Sequence, residues 1–276
     1  MTKRGSVTKR APVKTPPILD GKHYDSPSEF EAANLLREAR RQNNVARGTI
    51  PEICLLDPDG DILRALTASG RAVRDEFWAC YHTNMYRFVH DEIEFGVVGC
   101  AVGASFAVLL AEQMFVSGCR LLISVTSSGQ ITPIRPPPFF VLIDKALRDE
   151  GVSYHYLPPS EYSAANPDLV SLMESAFDDL AEPVERGATW TTDAPYRETA
   201  QAIAAARERG LLAVEMEAAA LYAFAEARGC DVICFAHVTN QMAQIDGDFE
   251  KGEDGGAHDA LDLVAACARS WRAHNS

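Results

Sequence analysis

Val214-Glu215-Met216-Glu217-Ala218-Ala219-Ala220-Leu221 constrains this chain more than any other stretch: two carboxylates flank a methionine where an alanine-rich run begins. From Glu217 to Arg228 the residues are strong helix formers, and Gly229 follows as a natural left-handed exit. Ala218, Leu221, Tyr222, Phe224 and Ala225 put apolar side chains on nearly every face. That suits a helix buried inside an α/β core, with its N-terminus inside as well. Two acids at that end favour the helix dipole, and capping is the plain reading of them. They also suit a sugar, since carboxylates accept hydrogen bonds from paired ring hydroxyls and a thioether covers an apolar ring face.

Around this helix the chain alternates. Ile53-Cys54-Leu55-Leu56, followed by Asp57-Pro58-Asp59-Gly60, reads as a buried strand ending in a loop. Further strands are expected over 85–89, 94–98, 121–125 and 232–238, and helices over 104–116 and 167–180. Such alternation argues for one α/β domain, its sheet covered on both faces and its sites at the C-terminal ends of the strands. Upstream, Ser26, Pro27 and Glu29 open a helical pattern that continues through Phe30, Ala33, Leu35, Leu36 and Ala39. Residues 18–49 are read as a helical addition to the main domain at 50–276. Residues 1–17 carry Lys3, Arg4, Lys9, Arg10 and Lys14 without an acid, and are read as a disordered basic arm. Pro136-Pro137-Pro138 reads as a stiff connector.

A net charge of -13 leaves no excess of Lys and Arg to neutralise phosphates along a nucleic acid, so small molecules are the expected partners. Seven cysteines, mostly in apolar runs, read as reduced thiols of a cytoplasmic protein. Cys230 and Cys234 lack metal-site spacing, no apolar stretch approaches bilayer length, and the start lacks a signal-peptide block. Gly96 to Gly103 is glycine-rich but has the wrong spacing for a dinucleotide fingerprint, and Gly103 to Ala107 lacks the final glycine of a nucleophile elbow. In the acidic stretch from Asp246, Lys251 stands where a calcium loop needs glycine.

Glu215-Met216-Glu217-Ala218 resembles the ribose-binding signature of the nucleoside phosphorylase family, which includes uridine phosphorylase, bacterial purine nucleoside phosphorylase and related nucleosidases. Thr191-Thr192-Asp193-Ala194-Pro195-Tyr196-Arg197-Glu198-Thr199 resembles the base-side loop that precedes the signature in a subset of that family. Gly99 to Gly118, followed by Leu121 to Gly129, resembles its helix, strand and phosphate loop in order. The resemblance spans about residues 50–272. It implies a single-domain nucleoside phosphorylase-like fold with a central mixed sheet flanked by helices, and cleavage of a ribonucleoside N-glycosidic bond. It also implies a homo-oligomer, dimer or hexamer, with phosphate as co-substrate and no metal or organic cofactor.

Carried over by position, Glu217 holds the ribose hydroxyls, Met216 packs on the sugar, Glu215 orients the helix mouth and Ser127 meets the nucleophile. Gly103 belongs to the pocket wall, Asp193 to the base-side loop, and Arg197 and Gln241 receive the leaving base. An ion pair of Arg197 with Asp193 or Glu198 is the other reading. Asn240 stands where purine-cleaving relatives carry an aspartate; an amide there suits a uracil-like base that leaves as a stabilised anion. His23 and His82 loosely resemble residues that relatives bring to the 5′ end of the sugar, and read otherwise as surface histidines.

Three positions depart from the family, and two positive charges are missing. Ser124 replaces the arginine three residues before Ser127, and Asp57 and Asp61 stand where the other phosphate loop carries glycine and arginine. Family pattern therefore favours phosphate and local residues favour water, unless Arg135 or Arg87 of a neighbouring subunit restores charge. A binding module without turnover is the third reading.

Overall fold

Apolar runs become ten strands and the intervening segments eight α-helices in the computed structural model, which describes residues 15–242 and 247–275. In chain order they are α1 (Ala32–Asn43), β1 (Ile53–Asp57), α2 (Asp61–Ala68), β2 (Val73–Arg74), β3 (Tyr86–His90), β4 (Ile93–Gly99), α3 (Ala104–Ser117), β5 (Leu121–Gln130) and β6 (Phe139–Asp149). There follow α4 (Ser153–Tyr156), β7 (Tyr162–Ala164), α5 (Pro167–Glu174), β8 (Val184–Thr192), α6 (Ala200–Glu208), β9 (Ala213–Glu215), α7 (Ala218–Arg228), β10 (Asp231–Asn240) and α8 (Ala257–Asn275). Residues 1–14 of the expected basic arm, and Asp246 of the acidic stretch, lie outside the described residues.

The sheet is mixed, in the order β10-β6-β8-β9-β5-β1-β4-β3-β2, with β7 on the edge of β6. β10 also pairs with β5, so β5, β9, β8, β6 and β10 close a ring from which β1, β4, β3 and β2 extend. β5 is the hinge of this arrangement, parallel to β1 and β10 and antiparallel to β9. Its interior position explains a continuous rather than alternating apolar run: Leu121, Leu122, Ile123 and Val125 are all buried. The β10–β5 register slips between Val238 and Asn240, opposite Gly129, at the carboxyl ends of both strands. Strand ends at that edge are where an α/β sheet leaves a crevice.

α7 lies inside, as its composition predicts: every residue from Ala218 to Phe224 is buried, and Gly229 leaves the helix at φ 64°. Small alanines let it approach α3 and β6, and its one phenol finds partners. The Tyr222 hydroxyl donates to the Ile143 carbonyl at 2.5 Å and accepts from the Cys234 N–H at 3.0 Å.

Two helix expectations shift. The pattern opened by Ser26 becomes a helix only at Ala32, after a turn in which the Ser26 N–H donates to the His23 carbonyl, and Phe30 is left 75 % exposed. Leu36 and Ala39 are its buried residues, packed with Ala79. The helix at Pro167 stops at Glu174, with Asn166 as its cap through an acceptor bond from the Asp168 N–H at 2.9 Å. Among the described residues no helix is long and apolar enough to cross a membrane.

Candidate active site

The helix mouth is built by Glu215. As the last residue of β9 it caps α7 from within: its Oε2 accepts from the N–H groups of Glu217 and Ala218, each at 2.7 Å. Its Oε1 accepts from the hydroxyl of Thr189 at 3.1 Å and from that of Thr191. Thr191 in turn accepts from the Ala219 N–H at 2.9 Å. Burial pushes the Glu215 carboxyl above its ordinary range, and these bonds pull it back. The four contacts occupy both of its oxygens.

Glu217 is 1 % exposed and makes different contacts. Its Oε1 accepts from the Gly103 N–H at 2.7 Å, and its Oε2 from the Met216 N–H at 3.3 Å. Burial, and next the charge of Glu215, push its carboxyl up to about 8, while Gly103 and the Thr126 hydroxyl work against the shift. Gly103 sits at φ 96°, a conformation that a side chain would strain, and nothing crowds the place where its Cβ would be. Met216, half-buried, lies between the two acids. A carboxylate this enclosed with so few fixed partners has capacity left for ligand hydroxyls once the mouth opens.

Opposite lies the loop after β1. Asp57 caps α2, accepting from the Gly60 and Leu63 N–H groups at 3.0 and 2.8 Å, and burial pushes its carboxyl up to about 7. Asp61 is paired with Arg64 and with Lys251, the latter at 2.6 Å. Asp59 reaches across: its Oδ2 accepts from the backbone N–H of Ser127 at 2.6 Å. Burial raises the Asp59 carboxyl, and its charge contributes to raising Glu217. The Ser127 hydroxyl shares a 2.8 Å hydrogen bond with that of Thr239, where β5 and β10 end together. His237, one turn of the pleat earlier on β10, is stacked on Phe140 at 4.5 Å, and burial lowers its pKa to about 4.

The structure thus brings together Glu215, Met216, Glu217 and Gly103, with Ser127 joined to them through Asp59 and Thr126. Asn240 is buried beside Thr239, its amide donating to the Ser128 carbonyl at 3.3 Å and accepting from the Met242 N–H at 2.9 Å. Asp193 closes a loop by accepting from the Gly151 N–H at 2.8 Å. Arg197 is exposed and its guanidinium has no ion pair among the described residues, neither with Asp193 nor with Glu198. Gln241 is exposed, with its backbone N–H on the Asp248 carboxylate at 3.0 Å. His23 and His82 are exposed and form no hydrogen bond to the Glu217 cluster. Arg135 is bound to Glu185 at 2.8 Å, and Arg87 to Asp75 and Glu94. Ser124 is buried in β5, its hydroxyl without a hydrogen-bond partner among the described residues.

In the sequence Asp59 reads only as a turn residue and Thr191 only as the start of the base-side loop, and Thr189 carries no reading. Asp59 looks like an ordinary turn residue between proline and glycine, and only the approach of β5 reveals its partner. The threonines did carry a signal: Thr189 and Thr191 share one face of a strand, which aims two hydroxyls at a single buried group. Grooves of about 950 Å³ beside α1 and about 630 Å³ beside Trp190 are lined by neither Glu217 nor Ser127. Among the described residues no group of three or more His, Cys, Asp or Glu could hold a metal ion.

Comparison with known proteins bears on this geometry. The sequence matches the phosphorylase superfamily over residues 60–269. It is 26 % identical over 170 residues to a guanosine phosphorylase of Halorubrum lacusprofundi, covering 61 % of this chain and 67 % of the relative. Its fold is similar to that of uridine phosphorylase from Vibrio fischeri, with a TM-score of 0.66, 18 % identity, and 81 % of this chain and 93 % of the other covered. It is similar also to purine nucleoside phosphorylase from Toxoplasma gondii, solved with immucillin-H, with a TM-score of 0.68, 17 % identity, and 81 % and 92 % covered.

Proposed function

Because this chain belongs to the phosphorylase superfamily and is an enzyme of its nucleoside phosphorylase, pentosyltransferase type, we propose that it cleaves the N-glycosidic bond of a ribonucleoside, with uridine-like bases preferred. One observation carries the reading: a buried carboxylate, Glu217, stands at the mouth of an internal helix with one oxygen fixed by the Gly103 N–H. Breaking the bond to the base leaves positive charge on the sugar, as in glycoside cleavage. An ionised Glu217 accepting the ribose hydroxyls gains strength as that charge develops, which is differential binding of the transition state. Glu215 fixes the mouth, and Met216 offers an apolar surface to the ring. Arg197, without an ion pair among the described residues, and Gln241 receive the anionic base on the outer side. Asn240 suits a base that leaves unprotonated, and this supports uridine-like substrates over purines.

The acceptor meets the sugar at Ser127. Phosphate is the acceptor that family membership implies. Water is the second reading, and a specific observation favours it: a carboxylate, that of Asp59, already lies on the Ser127 N–H. No metal or organic cofactor is part of the proposal, since the charge to be stabilised is delocalised into the base. A homo-oligomer, dimer or hexamer, is part of it, as family membership implies. The test is a panel of ribonucleosides with and without phosphate, scored for free base and for the sugar product.

A further inference from the structure

The loop Asp57-Pro58-Asp59-Gly60-Asp61 holds three carboxylates with three different fates. Asp57 is tied to its own helix start, Asp61 to Arg64 and Lys251, and Asp59 alone crosses to another strand. Gly60 makes this possible: it turns at φ 77°, and a Cβ there would lie 2.5 Å from Cys100 Sγ, so the loop fits only against the end of β4. The partner that Asp59 takes is a backbone donor at the joint carboxyl ends of β5 and β10, flanked by the hydroxyls of Ser127 and Thr239. Such a donor set is what an incoming oxyanion would use. The two cations nearest the loop, Lys251 and Arg64, are engaged by Asp61.

Resting on the reading that this pocket cleaves nucleosides, we propose that Asp59 is the residue that selects the acceptor. Seated on the Ser127 N–H, its carboxylate holds phosphate out and passes the ribosyl group to water. A dianion entering here meets a fixed negative charge at 2.6 Å from the donor it needs, whereas a neutral water does not. The step then balances as a hydrolysis. An electron pair of the water oxygen forms the bond to C1′ as the bond from C1′ to the base nitrogen breaks. The electrons of that bond leave on the nitrogen, and the proton released by the water ends there, giving free ribose and free base.

The experiment titrates inorganic phosphate into the full chain and into Asp59→Ser and Asp59→Asn, by calorimetry, with melting curves to verify folding. Asp59→Ser clears the donor and the charge together, while Asp59→Asn removes the charge and keeps the shape if the serine variant fails to fold. Phosphate binding at least tenfold tighter in Asp59→Ser, with Asp59→Asn between it and the parent, is the expected result. The same variants incubated with a susceptible nucleoside at millimolar phosphate should gain ribose 1-phosphate where the parent yields ribose. Equal phosphate affinity in all three proteins, or ribose 1-phosphate as the parent's main product, overturns the proposal. If no nucleoside is cleaved by any variant, it is the nucleoside reading that fails, and the titration still decides the role of Asp59.

Discussion

The backbone nitrogen of Gly103 lies 2.7 Å from Oε1 of Glu217, a hydrogen bond between residues 114 apart in the chain. It ties the loop before α3 to the mouth of α7 and fixes one oxygen of an enclosed acid. Glu215, two residues earlier, has both oxygens occupied by the helix and by β8. On the proposed function, Glu217 then serves the substrate and Glu215 the scaffold.

Replacing Glu217 by Ala should remove two charge-assisted hydrogen bonds to the ribose, each worth about 1.5–3 kcal/mol. Catalytic efficiency should then fall about a hundredfold or more while the fold persists. Steady-state kinetics alongside a melting curve checks this, and near-normal activity would reduce Glu217 to a helix cap.

Glu215→Ala should act first on stability. It strands the N–H groups of Glu217 and Ala218 and the hydroxyls of Thr189 and Thr191, at a cost of about 3 kcal/mol. For a domain of this size the melting temperature should drop by roughly 5–10 °C. A variant that melts with the parent yet loses activity would assign Glu215 to the substrate instead.

The helix at α7 and its two acids were legible because local chemistry made them: alanine propensity, an apolar circumference and a glycine exit need no partner to be recognised. The strands β1, β5 and β10 were legible for the same reason, as continuous apolar runs. β6 was not, although Phe139 to Ile143 is a continuous buried run: its second half carries Asp144, Lys145, Arg148 and Asp149, of which Arg148 is buried and hydrogen-bonded to Ser153, Ser160 and the Pro158 and Leu157 carbonyls. Nor was the closure of the ring, which rests on β5 pairing with two strands distant in sequence. The Asp59 contact is of that kind: its meaning lies in what β5 brings to it, not in its neighbours.

Opposite pH trends should appear in activity and stability. Glu217 has its carboxyl raised from 4.5 to about 8, so over that interval the native state binds more protons than the unfolded chain. Its contribution to stability is present below 4.5 and is lost as pH rises through about 8. Asp57, raised from 3.8 to about 7, adds the same sign over its own interval. Activity needs the ionised acid, so kcat/KM should climb towards pH 8 while the melting temperature declines. Glu217→Gln should flatten the decline; an unchanged slope in that variant would show that the burial of Glu217 is not its source.

Base preference should follow Asn240. Uridine should be cleaved faster than inosine, adenosine or guanosine, and Asn240→Asp should narrow the gap by supplying a proton donor for a purine. Competition assays read by chromatography decide this, and a parent enzyme that prefers purines tenfold or more contradicts it.

Release of free base decides whether the Glu217 mouth cleaves nucleosides. Purified full-length protein is incubated with uridine, inosine, adenosine and guanosine, with and without millimolar phosphate, next to the Glu217→Ala variant. Free base is expected from at least one ribonucleoside, its release falling about a hundredfold or more in the variant. No base from any of them, or equal release by both proteins, would contradict it.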